Sequence, residues 1–176
     1  ALVADGHRVK ALVRKPQSAL PPGVEPITGD IANPDALRRL TEGADVVIHL
    51  AGAISALRRE DYFAVNAEGT AAVAEAARRA GVSHFVQVSS LSAREPGLSG
   101  YGASKAKGEE AVLASVPGAL IIRPPAVYGP GDRATLPLIK ALTQSAAILP
   151  STPSSRFSLI HVEDLARILA AAAVTD

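Results

Sequence analysis

The chain has 176 residues, a length that suits one domain, and its 48% hydrophobic content is ordinary for a globular core. The net charge is +1, with 18 basic and 17 acidic residues interspersed, so the sequence offers no basic surface for nucleic acid or for a membrane. The absence of cysteine excludes disulfides, thiolate catalysis and cysteine-bound zinc in this segment, and it fits an expected cytoplasmic location.

Apolar runs and stretches of helical periodicity alternate along the first part of the chain. Arg8–Val13 and Val24–Thr28 are predicted strands. Asn33, followed by proline, predicts a helix over Pro34–Thr41, because Asn is a good N-cap and proline is favoured at the first helical position. Asp45–Leu50 is an apolar run typical of a buried parallel strand.

The alternation continues through the rest of the chain. An alanine-rich segment of helical period covers Asp61–Ala80 and stops at Gly81, a residue suited to the position beyond a helix end. Phe85–Val88 is the next predicted strand, and the order of strand, helix and strand indicates βαβ units. The remaining predicted elements are a helix at Tyr101–Ser115, a strand at Ala119–Ile122, a helix at Leu136–Thr143, an extended piece at Phe157–Ile160 and a helix at Glu163–Val174.

Three polar residues follow the strand at Phe85–Val88. Tyr101 and Lys105 lie four residues apart on the predicted helix and therefore share one face. A neighbouring ammonium favours the ionised form of a phenol, which makes Tyr101 a predicted proton donor and acceptor near neutral pH. Ser90 is placed to hydrogen-bond the same substrate oxygen. The alternative for this Tyr-x-x-x-Lys spacing alone is an exposed tyrosine beside a solvated lysine; the surrounding βαβ order favours chemistry at a carbonyl or alcohol carbon.

Seven segments together resemble the extended short-chain dehydrogenase/reductase family, also called the NAD-dependent epimerase/dehydratase family. They follow the family order over nearly the whole chain. They are Thr28–Asp30, Val46–Gly52, Val65–Asn66 with Gly69–Thr70, Val88–Ser90, Tyr101 with Lys105, Arg123–Pro130 and Ile160–Asp164.

The resemblance implies an α/β fold with a doubly wound parallel sheet in three layers, of the Rossmann type. Family members begin with a strand and a Gly-x-x-Gly-x-x-Gly turn that binds the cofactor pyrophosphate, and this chain lacks that motif. We therefore expect an internal fragment: residues 1–176 form an NAD(P)-binding domain truncated at both ends, with the start of a substrate-binding portion near residues 131–176. The missing first strand would lie in the middle of the sheet, between Arg8–Val13 and Asp45–Leu50, so the sheet is expected to be incomplete.

The resemblance also implies cofactor contacts. Arg14 stands where enzymes that prefer NAD carry an acid, and arginine suits the 2′-phosphate of NADP, although a solvated basic turn explains it as well. Asp30 is expected to meet the adenine amine, or else to serve as a turn residue before the next helix. The other expected cofactor contacts are Ile31, Leu50, Ala51, Gly52, Asn66, Val88, Tyr101, Lys105, Pro124 and Val127.

Five of these contacts have a specific expected role. The small side chains of Ala51 and Gly52 let the cofactor ribose approach the backbone. Asn66 is a poor helix former inside a predicted helix, and the family places an asparagine there to support the active-site hydrogen bonds. Pro124 and Val127 line the nicotinamide side by resemblance, while a proline-rich loop after a strand is the structural alternative.

The expected function is NAD(P)-dependent oxidoreduction at a carbonyl or alcohol carbon, with NADP as the cofactor and NAD as the alternative. Ser90 falls on the family's Ser/Thr position, although Ser89 competes with it; Tyr101 would transfer the proton and Lys105 would bind ribose hydroxyls. Nucleotide-sugar epimerisation or dehydration is an alternative that the short segment between Ser90 and Tyr101 disfavours. A non-catalytic cofactor-binding assembly or sensor subunit is another.

The partners implied are a small-molecule carbonyl or alcohol substrate and, in a longer protein, a second copy of the chain. Neither nucleic acid nor a membrane is implied. None of the four histidines has a second ligand at metal spacing, so no metal is expected. His49 lies within a predicted buried strand and is expected to be a hydrogen-bonded core residue.

Overall fold

The computed structural model of the chain describes residues 1–15, 20–132, 135–136, 140, 156 and 158–175. Strands and helices alternate through this part, as the sequence predicts. The strands are β1 (Val9–Val13), β2 (Val24–Thr28), β3 (Val46–His49), β4 (His84–Val88), β5 (Leu120–Ile122), β6 (Ala126–Tyr128) and β7 (Leu159–His161). The helices are α1 (Pro34–Thr41), α2 (Arg59–Phe63), α3 (Thr70–Arg79), α4 (Gly100–Ser115) and α5 (Val162–Val174), with a π-helical turn at Ala64–Gly69 between α2 and α3 and two 3₁₀ turns, Leu91–Arg94 and Pro96–Leu98, before α4.

Parallel strands form three small sheets. The first pairs β1 with β2, the second has the order β3-β4-β5, and the third pairs β6 with β7. In the central sheet, Val46 lies opposite His84 and Val86 lies opposite Leu120. Within the described part of the chain, β1 has no ladder to β3. This separation agrees with the expectation that the first strand of the family fold belongs between them.

Apolar residues cover both faces of β4, as a doubly wound sheet requires. Phe85 is 1% exposed and packs with residues of α1, α3 and α4, among them Leu37, Val73 and Val112. Val86 is fully buried on the opposite face, against Leu165 and Leu169 of α5. Burial of each such side chain contributes roughly 1.5–3 kcal/mol. Helices on both sides of a parallel sheet make the three-layer α/β architecture, and this prediction is confirmed.

The start of α1 follows its sequence signals. The Asn33 side chain accepts a hydrogen bond of 3.0 Å from the Ala36 amide, and proline occupies the first turn. The last turn carries Arg38 and Arg39, whose charges suit the negative end of the helix dipole. None of the helices in the described ranges is long and apolar enough to cross a lipid bilayer.

The structure differs from the sequence-based expectation in one helix and one strand. The predicted single helix at Asp61–Ala80 starts at Arg59 and contains the π-helical turn, on which Asn66 lies. The wider turn coincides with a close approach of α4, since a Cβ atom on Gly108 would overlap the Asn66 carbonyl. The sequence did not predict strand β6: the loop offered as the structural alternative for Pro124 and Val127 does not extend through Ala126–Tyr128, which pair with β7. The helix predicted at Leu136–Thr143 falls largely outside the described residues.

Candidate active site

The carboxyl end of β4 carries the two serines that compete for the catalytic role. Ser90 caps the 3₁₀ turn that follows, and its hydroxyl accepts a hydrogen bond of 3.2 Å from the Ser92 amide. The Ser90 residue is partly exposed. Ser89 is 5% exposed, and its hydroxyl donates to the Glu109 carboxylate on α4. The structure thus buries the Ser89 hydroxyl against Glu109 and leaves Ser90 partly exposed.

The first turn of α4 positions Tyr101. The Ser99 hydroxyl caps this helix by accepting a hydrogen bond of 2.9 Å from the Gly102 amide. Tyr101 is the second helical residue, and its ring packs edge-on against Tyr62 of α2 at a centroid distance of 6.0 Å. A Cβ atom on Gly102 would lie only 2.5 Å from the Ser92 carbonyl oxygen. The helix start that carries Tyr101 therefore touches the turn that begins at Ser90.

Lys105 lies one turn further along α4 and is 3% exposed. Its ammonium donates a hydrogen bond of 2.8 Å to the carbonyl of Val88, the last residue of β4. Burial lowers the pKa of the Lys105 ammonium, while the negative charge of Glu109 acts in the opposite sense. Lys105 thereby reaches the strand end that leads directly into Ser90.

Asn66 is fully buried on the π-helical turn and connects three parts of the site. Its amide oxygen accepts from the Ala53 backbone N–H at 2.7 Å, and its amide nitrogen donates to the Ala53 carbonyl at 2.9 Å. The same nitrogen donates to the Ser104 hydroxyl of α4 at 3.0 Å. These bonds fix the segment after β3 against α4.

Gly52 lies at the centre of this arrangement. A Cβ atom at this position would lie 3.1 Å from the Asn66 amide oxygen and 3.7 Å from the Lys105 ammonium. Leu50, Ala51 and Gly52 are exposed, so the backbone after β3 is accessible. The structure therefore brings Gly52, Asn66, Val88 and Lys105 together beside an open backbone surface.

His49 lies beneath this surface and is 4% exposed. Its Nε2 atom is 2.9 Å from the Thr70 hydroxyl, in accord with the expected hydrogen-bonded core residue. Burial, and secondarily the charge of Lys105, lowers the pKa of His49 from 6.5 to about 4. The imidazole is therefore neutral at physiological pH. No group of three or more metal-ligating side chains occurs among the residues that the structure describes.

The residues expected to contact the adenosine part of the cofactor lie at the ends of β1 and β2, away from Lys105. Arg14 follows β1 and is exposed. Asp30 is also exposed, and its carboxylate accepts a hydrogen bond of 3.0 Å from the Ala32 amide, so it stabilises the turn before α1. Ile31 packs against Gly69, where a Cβ atom would overlap its side chain.

The two residues expected on the nicotinamide side differ in their surroundings. Pro124 is buried, and its carbonyl accepts a hydrogen bond of 2.9 Å from the Leu91 amide, which ties the segment after β5 to the turn after Ser90. Val127 lies on β6 and packs against the apolar cluster around Val86. Pro124 is therefore in contact with the segment that follows Ser90.

Sequence reasoning missed an ion pair between a buried carboxylate of α4 and a partly exposed guanidinium after β5. The Glu109 carboxylate binds the Arg123 guanidinium through both oxygens, with Nε at 2.9 Å from Oε1. The Glu109 side chain is 8% exposed and that of Arg123 is 43% exposed. The available signal was the position of Glu109, four residues after Lys105 and thus on the same helix face.

Comparison with known proteins identifies relatives over the whole chain. The model of the NAD dependent epimerase/dehydratase family matches residues 1–176. The chain is 49% identical over 176 residues to the ceramide reductase of Caulobacter vibrioides, covering 97% of this chain and 55% of that protein. It is 34% identical over 166 residues to the 4-hydroxy-2-methyl-3-oxo-4-farnesyl-3,4-dihydroquinoline-1-oxide ketoreductase of Stigmatella aurantiaca, covering 81% of this chain and 50% of that protein.

The solved structures agree with the fold. The chain superposes on MoeE5 in complex with UDP-glucose and NAD with a TM-score of 0.81 at 25% identity, covering 99% of this chain and 66% of that one. The chain thus spans about half the length of the curated relatives it matches.

Proposed function

Because the chain belongs to the NAD-dependent epimerase/dehydratase family, we propose that its gene product is an NAD(P)-dependent reductase acting at a carbonyl carbon. The observation that carries the proposal is the position of Lys105. Lys105 lies one helical turn after Tyr101. Its buried ammonium is hydrogen-bonded to Val88, the last residue of β4, which lies two residues before Ser90. A cation on the helix that carries the phenol, at the strand end that leads into the hydroxyl, suits proton transfer to a substrate oxygen.

Ser90, Tyr101 and Lys105, here called the trio, each have a distinct role in the proposed reaction. The Ser90 hydroxyl orients the substrate oxygen, and the Tyr101 hydroxyl donates the proton to it during reduction. The Lys105 ammonium stabilises the resulting phenolate and binds ribose hydroxyls. Asn66 keeps the segment after β3 and helix α4 in register through its bonds to Ala53 and Ser104.

The residues present fit a nicotinamide cofactor. The exposed backbone at Ala51 and Gly52 offers a close approach for a ribose, and a side chain at Gly52 would intrude toward both Asn66 and Lys105. When bound, the cofactor supplies the hydride for the reduction. We propose NADP as the preferred form, because exposed Arg14 follows β1 and suits a 2′-phosphate. NAD is the alternative, and MoeE5 is a relative solved with it.

For the substrate, we propose a ketone on a long-chain lipid. The names of the two reductase relatives describe a ceramide and a farnesylated quinoline, both of which carry long apolar groups. Ile54 is 71% exposed in the segment after β3, and Leu98 is 85% exposed just before Tyr101. Apolar side chains on the two segments that flank the trio favour an apolar substrate over a nucleotide sugar.

The remaining parts of the proposal concern organisation. Residues 1–176 would form the NAD(P)-binding domain, and the substrate-binding portion would begin near residues 131–176. The gene product would be cytoplasmic and would pair with a second copy of itself. Cell fractionation and the mass of the purified protein in solution test these two points.

The test of the activity uses the complete gene product with NADPH and NADH. Three probes separate the substrate classes: a ceramide whose sphingoid hydroxyl is oxidised to a ketone, a short ketone without a chain, and UDP-glucose. We expect NADPH oxidation with the ketone-bearing ceramide and much slower oxidation with the short ketone. Conversion of UDP-glucose alone would favour epimerase or dehydratase chemistry, and no turnover of any probe would contradict the reductase proposal.

A further inference from the structure

We infer that Glu109 is a positioning residue of this site, which holds the Lys105 helix, the Ser90 turn and the Arg123-Pro124 segment in one arrangement. The inference rests on the proposed function, since it concerns the same trio. It adds a residue whose part is neither substrate contact nor proton transfer.

The position of Glu109 lets it reach three elements. It lies four residues after Lys105 on the same face of α4. Its Oε1 atom accepts from the Ser89 hydroxyl of β4 and, at 2.9 Å, from Nε of Arg123, which follows β5. Its Oε2 atom accepts from the second nitrogen of that guanidinium. One buried carboxylate thus joins the helix to the ends of two neighbouring strands.

The two strand ends are also joined to each other by their backbones. The Ser89 amide donates to the Ile122 carbonyl at 2.7 Å, and the Leu91 amide donates to the Pro124 carbonyl at 2.9 Å. Ser90 lies between these two bonds. Its backbone is therefore fixed by a frame that two charged side chains of α4 join to the helix: Lys105 bonds the Val88 carbonyl, and Glu109 bonds both Ser89 and Arg123.

The charge of Glu109 has a second consequence. The titratable groups whose charges interact with Lys105 in the described structure are His49 on β3 and Glu109 on α4, and Arg123 is bound to Glu109. The imidazole of His49 is neutral, because burial lowers its pKa to about 4. Glu109 is the group whose charge raises the pKa of Lys105 against the effect of burial. Loss of that charge would favour the neutral amine.

An ion pair with one buried partner is in itself weak evidence of anything beyond folding, because desolvation offsets much of its Coulomb energy. A positioning residue differs from a purely structural one by its effect on Ser90, Tyr101 and Lys105. A purely structural pair would change the unfolding temperature and leave the titration of Lys105 and the chemical step unchanged.

The experiment compares Glu109→Gln with Glu110→Gln in the complete gene product. The control carries the same substitution on the next residue, whose side chain is 67% exposed and paired only with exposed Lys107 in the described structure. With NADPH and the ketone-bearing ceramide, we expect Glu109→Gln to lower kcat on the order of 10-fold to 100-fold with little change in KM. The alkaline limb of its kcat profile should move to lower pH. Glu110→Gln should retain the wild-type kcat and the wild-type position of the alkaline limb.

A second measurement does not depend on catalysis, so it can test this inference even if the proposed function is wrong. The rate at which an amine-reactive acylating reagent modifies Lys105 is measured against pH by mass spectrometry. We expect the midpoint to move to lower pH in Glu109→Gln and to stay unchanged in Glu110→Gln. If the wild type reduces no ketone but this midpoint moves, the substrate proposal is wrong and the positioning effect stands. An unchanged midpoint with an unchanged kcat would overturn the inference, even if the variant melts earlier.

Discussion

The contact between Gly102 and Ser92 offers a sharp test of how tightly the site is held. Gly102 follows Tyr101, and a Cβ atom there would lie 2.5 Å from the Ser92 carbonyl oxygen, whereas an ordinary contact begins at 3.4 Å. Gly102→Ala must therefore move the first turn of α4 away from the Ser90 turn by about 0.9 Å. A misplacement of ~1 Å at reacting groups costs on the order of 100-fold in rate.

The effect on stability should not exceed the effect on rate, since a 100-fold loss in kcat corresponds to about 2.7 kcal/mol. Alanine in a helix is favoured over glycine by ~1 kcal/mol, which offsets part of an overpacking cost of about 1–3 kcal/mol. We expect Gly102→Ala to lose up to ~2 kcal/mol of unfolding free energy and on the order of 100-fold in kcat. Denaturant unfolding and steady-state kinetics of the complete gene product measure the two quantities.

The matched control is Gly97→Ala in the 3₁₀ turn before α4. A Cβ atom at Gly97 meets no other atom within 4 Å, so this variant should keep both its stability and its kcat. Unchanged kcat in Gly102→Ala would refute the claim that the contact with Ser92 sets the position of Tyr101.

Three further predictions test individual residues in the same protein. The pKa of His49 is lowered from 6.5 to about 4 in the folded state. The unfolded state therefore binds the proton first as pH falls, and stability is lost between these two values. We expect His49 to lower the unfolding free energy by roughly 3 kcal/mol at pH 4 relative to pH 7, and His49→Gln to show a flatter dependence of unfolding free energy on pH. The fully buried Gln87 amide has no hydrogen-bond partner in the described part of the protein, so Gln87→Met should be neutral or stabilising by up to ~1 kcal/mol, and a loss of more than that in urea unfolding would count against this view. Arg14→Asp should weaken NADP binding far more than NAD binding, and equal effects in a titration of both cofactors would show that Arg14 is only a surface turn residue.

The parts of the fold that local signals determine could be predicted from the sequence. The Asn33 cap and the apolar run of β4 depend on neighbouring residues alone, and the structure has both. The strand β6 could not be predicted in this way. It exists through pairing with β7, about thirty residues later in the chain, and its two flanking prolines suggest a loop.

In the candidate site, too, local features could be predicted from the sequence and long-range contacts could not. The spacing of Tyr101 and Lys105 was visible, because one helical turn is a local relation. The pairing of Glu109 with Arg123 and Ser89 joins α4 to two strand ends, and only the folded sheet brings those ends together. The π-helical turn at Asn66 also depends on a distant contact, since it coincides with the close approach of Gly108.

The most direct test of the central claim is the chemical step in Tyr101→Phe. The substitution removes one hydroxyl and keeps the ring that packs against Tyr62. If Tyr101 transfers the proton, kcat for reduction of the ketone-bearing ceramide should fall by about 10²–10⁴-fold, while the Kd for NADPH stays within about twofold. A variant that retains the wild-type kcat would contradict the account and would leave a non-catalytic cofactor-binding subunit as the better description.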